Sequence, residues 1–187
     1  MGENASMPRA LVLLALLLAL LSPGASWGQA VEVPRVLLRE GQVVVSFGLR
    51  PSEQFQRQLR KGISKELIIR VDLYRRWRGW PDEFILGKKL TRRLVCDPLK
   101  EQYILGQGGK DSHLKDCQEV LRRASVLQGL VLTSTKELPP GAYFVRVSVH
   151  SRLRRLPPLL GLLLFFLRQE ELQGQADSPV FHLGGGP

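Results

Sequence analysis

Residues that serve metal and nucleophilic chemistry are scarce in this sequence. It contains only two cysteines, which form no C-x-x-C pair, and three scattered histidines with no i, i+4 spacing: His113, His150 and His182. A zinc site needs closely spaced cysteine or histidine ligands, and a cysteine nucleophile needs a base beside it. We therefore expect neither a metal site nor a reactive thiol.

Sequence motifs of familiar reaction types are missing too. The chain has no G-x-S-x-G and no H-E-x-x-H, which mark many serine hydrolases and zinc proteases. The glycine-rich stretch from Gly106 to Lys110 lacks the spacing and the final Ser or Thr of a phosphate loop, and we interpret it as a flexible turn. We expect no catalytic centre and no cofactor. The alternative is an envelope enzyme whose site is assembled from dispersed residues.

Apolar runs are too short to cross a membrane. The first, Ala10–Leu21, has twelve residues, whereas a spanning helix requires about 20. A positive charge precedes this run and Ser22-Pro23-Gly24 interrupts it before small residues, an order typical of a secretory signal peptide. We predict that residues 1–30 are a signal peptide cleaved after Gly28 or Ala30. The alternative is an uncleaved membrane anchor.

Acidic residues are outnumbered by basic ones. The chain carries 27 Lys and Arg against 17 Asp and Glu, a formal net charge of +10. A basic surface attracts anionic partners. Outside the cytoplasm these are phospholipid head groups, acidic glycans or acidic proteins. We expect either an envelope protein or an anionic surface as the partner, and no nucleic acid.

Alternating apolar residues predict an antiparallel β fold. Leu67, Ile69, Val71 and Leu73 repeat at every second position, as in a half-buried strand, and an extended run from Phe84 to Cys96 completes a hairpin. The return run is less regular, which predicts a bulge or an exposed edge around Arg92 and Val95. Further strands are predicted within Val31–Leu49, which holds two, and at Tyr103–Leu105, Leu130–Thr135 and Ala142–Ser151.

Two short helices interrupt these strands. Pro51-Ser52-Glu53 begins the first, in which Phe55 and Leu59 share one face. From His113 to Ala124 apolar residues return at helical spacing, which predicts a second helix with Ser112 as its N-cap. Gly106–Asp111 before it is predicted to be a loop.

One further feature indicates the architecture. The segment Leu138–Tyr143 resembles the tyrosine corner of immunoglobulin-like sandwiches, in which a tyrosine bonds back to the corner backbone. With six or seven strands and two helices, we predict a mainly β fold: an antiparallel β-sandwich, immunoglobulin-like in outline, over residues 31–168. Residues 169–187 are polar and glycine-rich, and we predict a flexible C-terminal tail.

A second apolar segment, Leu159–Leu167, follows the last predicted strand. As a helix it would span roughly 13 Å, less than half of a bilayer core. It either packs on the core of the sandwich or lies in a membrane interface, held to anionic lipid by the arginines before it. The second alternative makes the chain a peripheral membrane protein.

The turn of the long hairpin is crowded with arginine and aromatic residues: Tyr74, Arg75, Arg76, Trp77, Arg78 and Trp80. Such residues dominate interface hot spots and stack on sugars or head groups, so we predict a partner-binding site. In the alternative, the tryptophans fold back over the sandwich and the arginines pair with Asp72, Asp82 and Glu83. The function expected is that of a non-catalytic binding or envelope-structural module.

Cys96 and Cys117 both fall on the apolar sides of their predicted elements. A disulfide between them would suit an oxidising compartment and would close a loop of about twenty residues. The alternative is a pair of buried free thiols that act as small hydrophobic residues. The sequence leaves both open.

Three segments carry a family resemblance: Arg76–Pro81, Val95–Tyr103, and Tyr143–Val147 followed by Leu156-Pro157. They resemble a bacterial family known as domain of unknown function family 4390, and the resemblance covers most of the mature chain. Its members are exported proteins, mostly of proteobacteria. The resemblance therefore implies a location in the periplasm or cell envelope, and it supplies no mechanism because the family has no assigned activity.

Overall fold

A computed structural model describes residues 30–153 and 172–184 of the chain. The predicted signal peptide, apart from Ala30, and the apolar segment Leu159–Leu167 lie outside these residues. Within them, no helix has the length and apolar character needed to cross a membrane.

The described residues form ten strands and two α-helices. In chain order these are β1 (Arg35–Arg39), β2 (Gln42–Gly48), α1 (Glu53–Arg60), β3 (Lys65–Arg76), β4 (Glu83–Asp97), β5 (Gln102–Gln107), β6 (Lys110–His113), α2 (Cys117–Ala124), β7 (Val126–Ser134), β8 (Gly141–Leu153), β9 (Gln173–Asp177) and β10 (Phe181–Leu183). A 3-10 helix, Thr135–Glu137, lies between β7 and β8.

The strands form two antiparallel sheets. The smaller has the order β1-β2-β7, and the larger has the order β10-β8-β3-β4-β5-β6, with β9 paired to β8 beside β10. Buried side chains of both sheets and both helices belong to one hydrophobic core. The predicted fold class is therefore confirmed: a mainly β molecule with antiparallel sheets and two short helices.

Strand β3 lies at the centre of the larger sheet and carries the core. It pairs with β4 on one side and with β8 on the other along its whole length. Leu67, Ile69, Val71 and Leu73 are at most 1% exposed, as the alternation predicts. Each side chain of this kind stabilises the fold by about 1.5–3 kcal/mol when fully buried, so this strand provides much of the driving force for folding.

The predicted tyrosine corner is present at the start of β8. Tyr143 is fully buried, and its hydroxyl donates a hydrogen bond to the carbonyl oxygen of Pro139 at 2.6 Å. The first helix is also confirmed. Ser52 caps α1 by accepting a hydrogen bond from the backbone N–H of Phe55, and Phe55 and Leu59 are buried.

The second helix begins later than predicted. Asp116, not Ser112, caps α2, since its carboxylate accepts a hydrogen bond from the backbone N–H of Glu119 at 2.7 Å. Ser112 lies instead in β6, opposite Leu105 of β5. The expected loop Gly106–Asp111 is shorter than predicted, because its first two and last two residues belong to β5 and β6. The tight turn between these strands needs the positive φ angles of Gly108 and Gly109, +58° and +81°.

The irregularity of β4 has another cause than the predicted one. The bulge lies at Ile85, where the pairing with β3 shifts. Arg92 lies in the part of β4 that pairs with both β3 and β5, and Val95 pairs with Ile104 of β5. Arg92 faces the core and is 4% exposed. It interrupts the apolar pattern because it serves the end of α2.

The Arg92 guanidinium supplies donors for the C-terminal end of α2. Its Nη1 donates to the carbonyl oxygens of Ala124 at 2.6 Å and Val126 at 3.0 Å, and its Nε donates to Gln107 Oε1 at 3.1 Å. The last carbonyls of a helix have no partner within the helix and favour a cation. Burial lowers the pKa of Arg92, and these acceptors compensate for its lost hydration.

The other end of α2 is joined to β4 by a disulfide. Cys96 and Cys117 are bonded, with their Cα atoms 5.4 Å apart. Of the two alternatives that the sequence leaves open, the structure has the disulfide. Strand β4 therefore holds α2 at both ends, covalently at Cys117 and by hydrogen bonds at Ala124.

Two strands lie where the sequence predicts a flexible tail. Strand β9 pairs with the middle of β8, and β10 pairs with its beginning. Between them Ser178 exchanges hydrogen bonds with the Val145 backbone, donating through its N–H at 2.8 Å and accepting at its Oγ at 2.9 Å. The sequence does not predict these strands because they lack a row of alternating apolar side chains. They are held instead by backbone pairing along β8.

The disulfide generates a stability prediction. Replacing both cysteines (Cys96→Ala with Cys117→Ala) is expected to lower the free energy of unfolding by about 3 kcal/mol, because the unfolded chain regains the freedom that the bond removes. Urea denaturation of the two proteins measures this. Wild-type protein kept in reductant should show a similar loss, and equal midpoints in all three samples would contradict the bond.

The buried arginine generates a second prediction. Arg92→Met removes the donors that serve the end of α2, and we expect it to lower the free energy of unfolding by about 2 kcal/mol or more. Arg93→Met is the matched control. Arg93 lies next along β4 on the opposite face, in a partly exposed ion pair with Asp111, and its loss should change stability by about 1 kcal/mol at most. Equal losses of unfolding free energy in the two variants would contradict this role of Arg92.

Candidate functional site

The predicted binding residues lie at one end of the larger sheet, where β3 turns into β4. We call residues 76–83 the hairpin tip. The aromatic side chains there differ in exposure: Trp80 is 78% exposed, Phe84 just beyond the tip 56% and Trp77 44%. The tip therefore displays apolar ring surface to solvent.

Tyr74 does not belong to the displayed group. Its ring stacks on Phe144 of β8, with centroids 5.4 Å apart and planes at 12°, and meets Phe84 edge-on at 5.7 Å. The Arg146 guanidinium lies 5.1 Å from the centroid of the Tyr74 ring. Tyr74 thus joins β3, β4 and β8 in an aromatic row and has a packing role.

Arg75 and Trp77 fix the tip against the sheet. Arg75 donates a hydrogen bond from Nη2 to the carbonyl oxygen of Pro140 at 2.8 Å, and its guanidinium lies 4.2 Å from the centroid of the Trp77 ring. Gly141 leaves room for this arginine, since an added Cβ would lie 2.9 Å from Arg75 Nε. Trp77 in turn donates from Nε1 to Glu83 Oε2 at 3.0 Å.

Arg76, Arg78 and Trp80 remain displayed. All three are exposed, and within residues 30–153 and 172–184 none of their side chains forms a hydrogen bond, an ion pair or a ring contact. In the alternative expected from the sequence, the tryptophans fold back over the sandwich and the arginines pair with nearby acids. The structure differs from it in both respects. Trp80 does not fold back over the sheet, and Glu83 receives the Trp77 N–H instead of an arginine. The six predicted residues thus divide into three that build the tip and three that it presents.

The solvent-facing side of the larger sheet, which we call the outer face, is ordered by strand register. Three rows cross β9, β8, β3 and β4 in that order: the first is Asp177, Arg146, Asp72 and Gly87, the second is Gln175, Ser148, Arg70 and Lys89, and the third is Gln173, His150, Ile68 and Thr91. A fourth row has no β9 residue and continues instead onto β5 and β6: Arg152, Glu66, Arg93, Gly106 and Asp111. Opposite charges alternate in the first and last rows.

Those two rows are internally paired. In the first, Arg146 and Asp177 form a two-pronged ion pair with N–O distances of 2.8 and 2.7 Å. The hydrogen bonding that Arg146 donates to Asp177 is the main reason that the pKa of Arg146 is raised. In the last row, Arg93 pairs with Asp111, and Arg152 lies 3.9 Å from Glu66.

The described residues contain no group of three or more His, Cys, Asp or Glu side chains that could hold a metal ion. The three histidines lie on three different strands, β6, β8 and β10.

One comparison with known proteins decides the family. The model of a family described as a domain of unknown function (DUF4390) matches residues 29–177. The chain is a member of the DUF4390 family. No curated protein and no solved structure matches it.

The family match covers the hairpin tip and the four rows of the outer face. It begins one residue before Ala30 and ends at the last residue of β9. The four rows of the outer face of this DUF4390 domain are not predictable from its sequence. The alternation of β3 places Arg70 and Asp72 on one side, but their neighbours on β4, β8 and β9 depend on register.

Asp72 of the DUF4390 domain is an acid whose surroundings oppose its charge. Burial raises the pKa of its carboxyl group, and the opposite effects of Arg70 and Arg146 do not overcome this. The carboxylate lies over Gly87, where any Cβ would overlap it. The folded state therefore binds the Asp72 proton more tightly than the unfolded chain does, and the resulting stabilisation, present below about pH 4, is lost as the pH rises through the folded pKa.

Asp72→Asn is accordingly expected to make the domain at least as stable as wild type at neutral pH. The advantage should shrink as the pH falls through the folded pKa of Asp72 and be gone below about pH 4, where the wild-type carboxyl is protonated in both states. Thermal unfolding across this range measures the difference. Asp177→Asn is the control, and it should destabilise at neutral pH because it breaks the paired Arg146 contacts. A loss in Asp72→Asn as large as in the control would contradict the assignment.

Proposed function

We propose that this DUF4390 domain is a non-catalytic binding module that acts outside the cytoplasm and binds an anionic surface through its hairpin tip. The observation that carries the proposal is that Trp80 is 78% exposed at the same tip as Arg76 and Arg78. Both arginines are exposed and form no ion pair within the described residues.

The residue types at the tip suit such a surface. A tryptophan contributes a large apolar area that gains free energy when a contact removes it from water, and its N–H can remain at a wet boundary. An arginine offers several donors that match phosphate and carboxylate oxygens. Together they favour phospholipid head groups or acidic glycans as ligands. The formal net charge of +10 on the chain would attract such anionic groups over a longer range.

The tip also has the rigidity that binding requires. Arg75 ties it to the Pro140 carbonyl and packs on Trp77, while Trp77 is held by Glu83. A surface held in this way loses little conformational freedom on contact, so more of the contact free energy becomes affinity.

One observation supports export, and a second concerns the cleavage position. The Cys96–Cys117 disulfide suits an oxidising compartment. Ala30 belongs to the fold, because it is 7% exposed and its carbonyl accepts a hydrogen bond from the backbone N–H of Arg50 at 2.8 Å. Of the two expected cleavage positions, the one after Gly28 keeps this residue, so we propose cleavage there.

Reversal of the free charges tests the tip. Arg76→Glu with Arg78→Glu is expected to weaken binding to phosphatidylcholine vesicles that contain phosphatidylglycerol by about 30-fold, since each arginine near such a surface contributes about 1 kcal/mol. It should also flatten the dependence on salt. Vesicle sedimentation at several salt concentrations measures both.

Lys110→Glu with Lys115→Glu is the matched control. Both lysines are exposed, the change in net charge is the same, and they lie near the end of the sheet that is remote from the tip. Binding of the wild type to heparin but not to these vesicles would assign the tip to acidic glycans. Equal binding by the wild type and the tip variant would overturn the proposal.

A further inference from the structure

An open groove runs across the outer face, away from the hairpin tip. Its volume is about 490 Å³, and among its lining residues are Arg70, Lys89, Ser148, His150, Gln173 and Gln175. Its size lies within the range of about 300–1,000 Å³ that is usual for small-molecule sites. Its lining residues come mostly from the second and third rows of the outer face, and Arg152 of the fourth row, which lies 3.9 Å from Glu66, lines it too.

The second row of the outer face carries two positive charges and no negative one. Arg70 and Lys89 are directly opposite each other on β3 and β4, and like charges in such a pair destabilise a sheet. Both are exposed, and neither forms an ion pair or a side-chain hydrogen bond within the described part of the chain. The acid of the adjacent row, Asp72, interacts with Arg146 as well as with Arg70.

This arrangement differs from the rows on either side of the groove. There every positive side chain has an acid beside it, such as Asp177 beside Arg146 and Glu66 beside Arg152. The second row contains no acidic side chain that could balance the charges of Arg70 and Lys89. A bound dianion would supply the missing charge, because it can face both cations at once.

The other wall of the groove includes neutral polar side chains. Ser148 of β8 and Gln173 and Gln175 of β9 line it, and none of these side chains has a hydrogen-bond partner within the described residues. An amide side chain offers both donors and acceptors, and a hydroxyl does the same. Such a wall can pair with the hydroxyl groups of a ligand, which also donate and accept.

We propose that this groove binds the phosphate monoester of a sugar or small polyol. The phosphate lies between Arg70 and Lys89, and the hydroxyl groups of the ligand face Ser148, Gln173 and Gln175. A phosphate monoester carries close to two negative charges at neutral pH, which matches the two cations, whereas a carboxylate carries one. This site is independent of the hairpin tip and of the function proposed for it.

Calorimetric titration of the mature wild-type domain tests the site with three probes: glucose 6-phosphate, inorganic phosphate and glucose. Glucose 6-phosphate should bind more tightly than either of the others, because it alone uses both walls. Failure of glucose 6-phosphate to bind, or binding no tighter than that of inorganic phosphate, would overturn the proposal.

Variants separate the two walls. Arg70→Gln with Lys89→Gln should weaken glucose 6-phosphate binding by about tenfold or more, as expected for the loss of charge-assisted hydrogen bonds. Gln173→Ala with Gln175→Ala should weaken glucose 6-phosphate and leave inorganic phosphate unchanged. Undiminished binding of glucose 6-phosphate by either double variant would overturn the corresponding contact and with it the proposal.

Two controls keep the result interpretable. Arg76→Gln with Arg78→Gln makes the same change in net charge at the hairpin tip and should leave glucose 6-phosphate binding unchanged, so a failure of the groove and a failure of the tip are distinguishable. Arg70→Gln with Lys89→Gln should unfold at the same temperature as the wild type or higher, because it removes a like-charge pair. Lower thermal stability would contradict the assignment of that pair as uncompensated.

Discussion

The pairing of β3 with β4 and β8 along its whole length is the constraint on which the rest of the structure depends. In a strand, successive side chains point to opposite faces. Once β3 is held on both sides, its apolar residues form the core and its polar residues form the middle of the outer face. A slip of one residue would exchange the two sets. The same register therefore determines both the stability of the domain and the order of the charges it shows to solvent.

Strand β4 extends this constraint to the helix and the tip. The disulfide and the Arg92 hydrogen bonds hold the two ends of α2, and the bulge at Ile85 turns Phe84 towards Tyr74 on the outer face. Beyond the bulge, the hydrogen bond from Arg75 to the Pro140 carbonyl ties the tip to the start of β8. The exposed side chains of the tip thus stand on a support that is fixed at several points.

Two surfaces of different chemistry occupy the larger sheet. The tip combines guanidinium groups with a broad aromatic area, a combination suited to an extended boundary between water and an anionic surface. The groove combines two cations with neutral amides and a hydroxyl, a combination suited to one small polar molecule. The paired acid-base row of Asp177, Arg146 and Asp72 lies between them, so their charges belong to separate sites.

The sequence by itself determined the features that depend on neighbours in the chain. Alternating residues marked β3 and β8, the spacing of Phe55 and Leu59 marked α1, and Leu138–Tyr143 marked the tyrosine corner, because each pattern reflects local geometry. Only the tertiary structure decided which of the six predicted binding residues are displayed, why Arg92 lies among apolar residues, and that Cys96 meets Cys117. It also decided which cations of the outer face have no acid in their own row. These depend on strand register and on contacts between residues far apart in the chain, which no local pattern of side chains encodes.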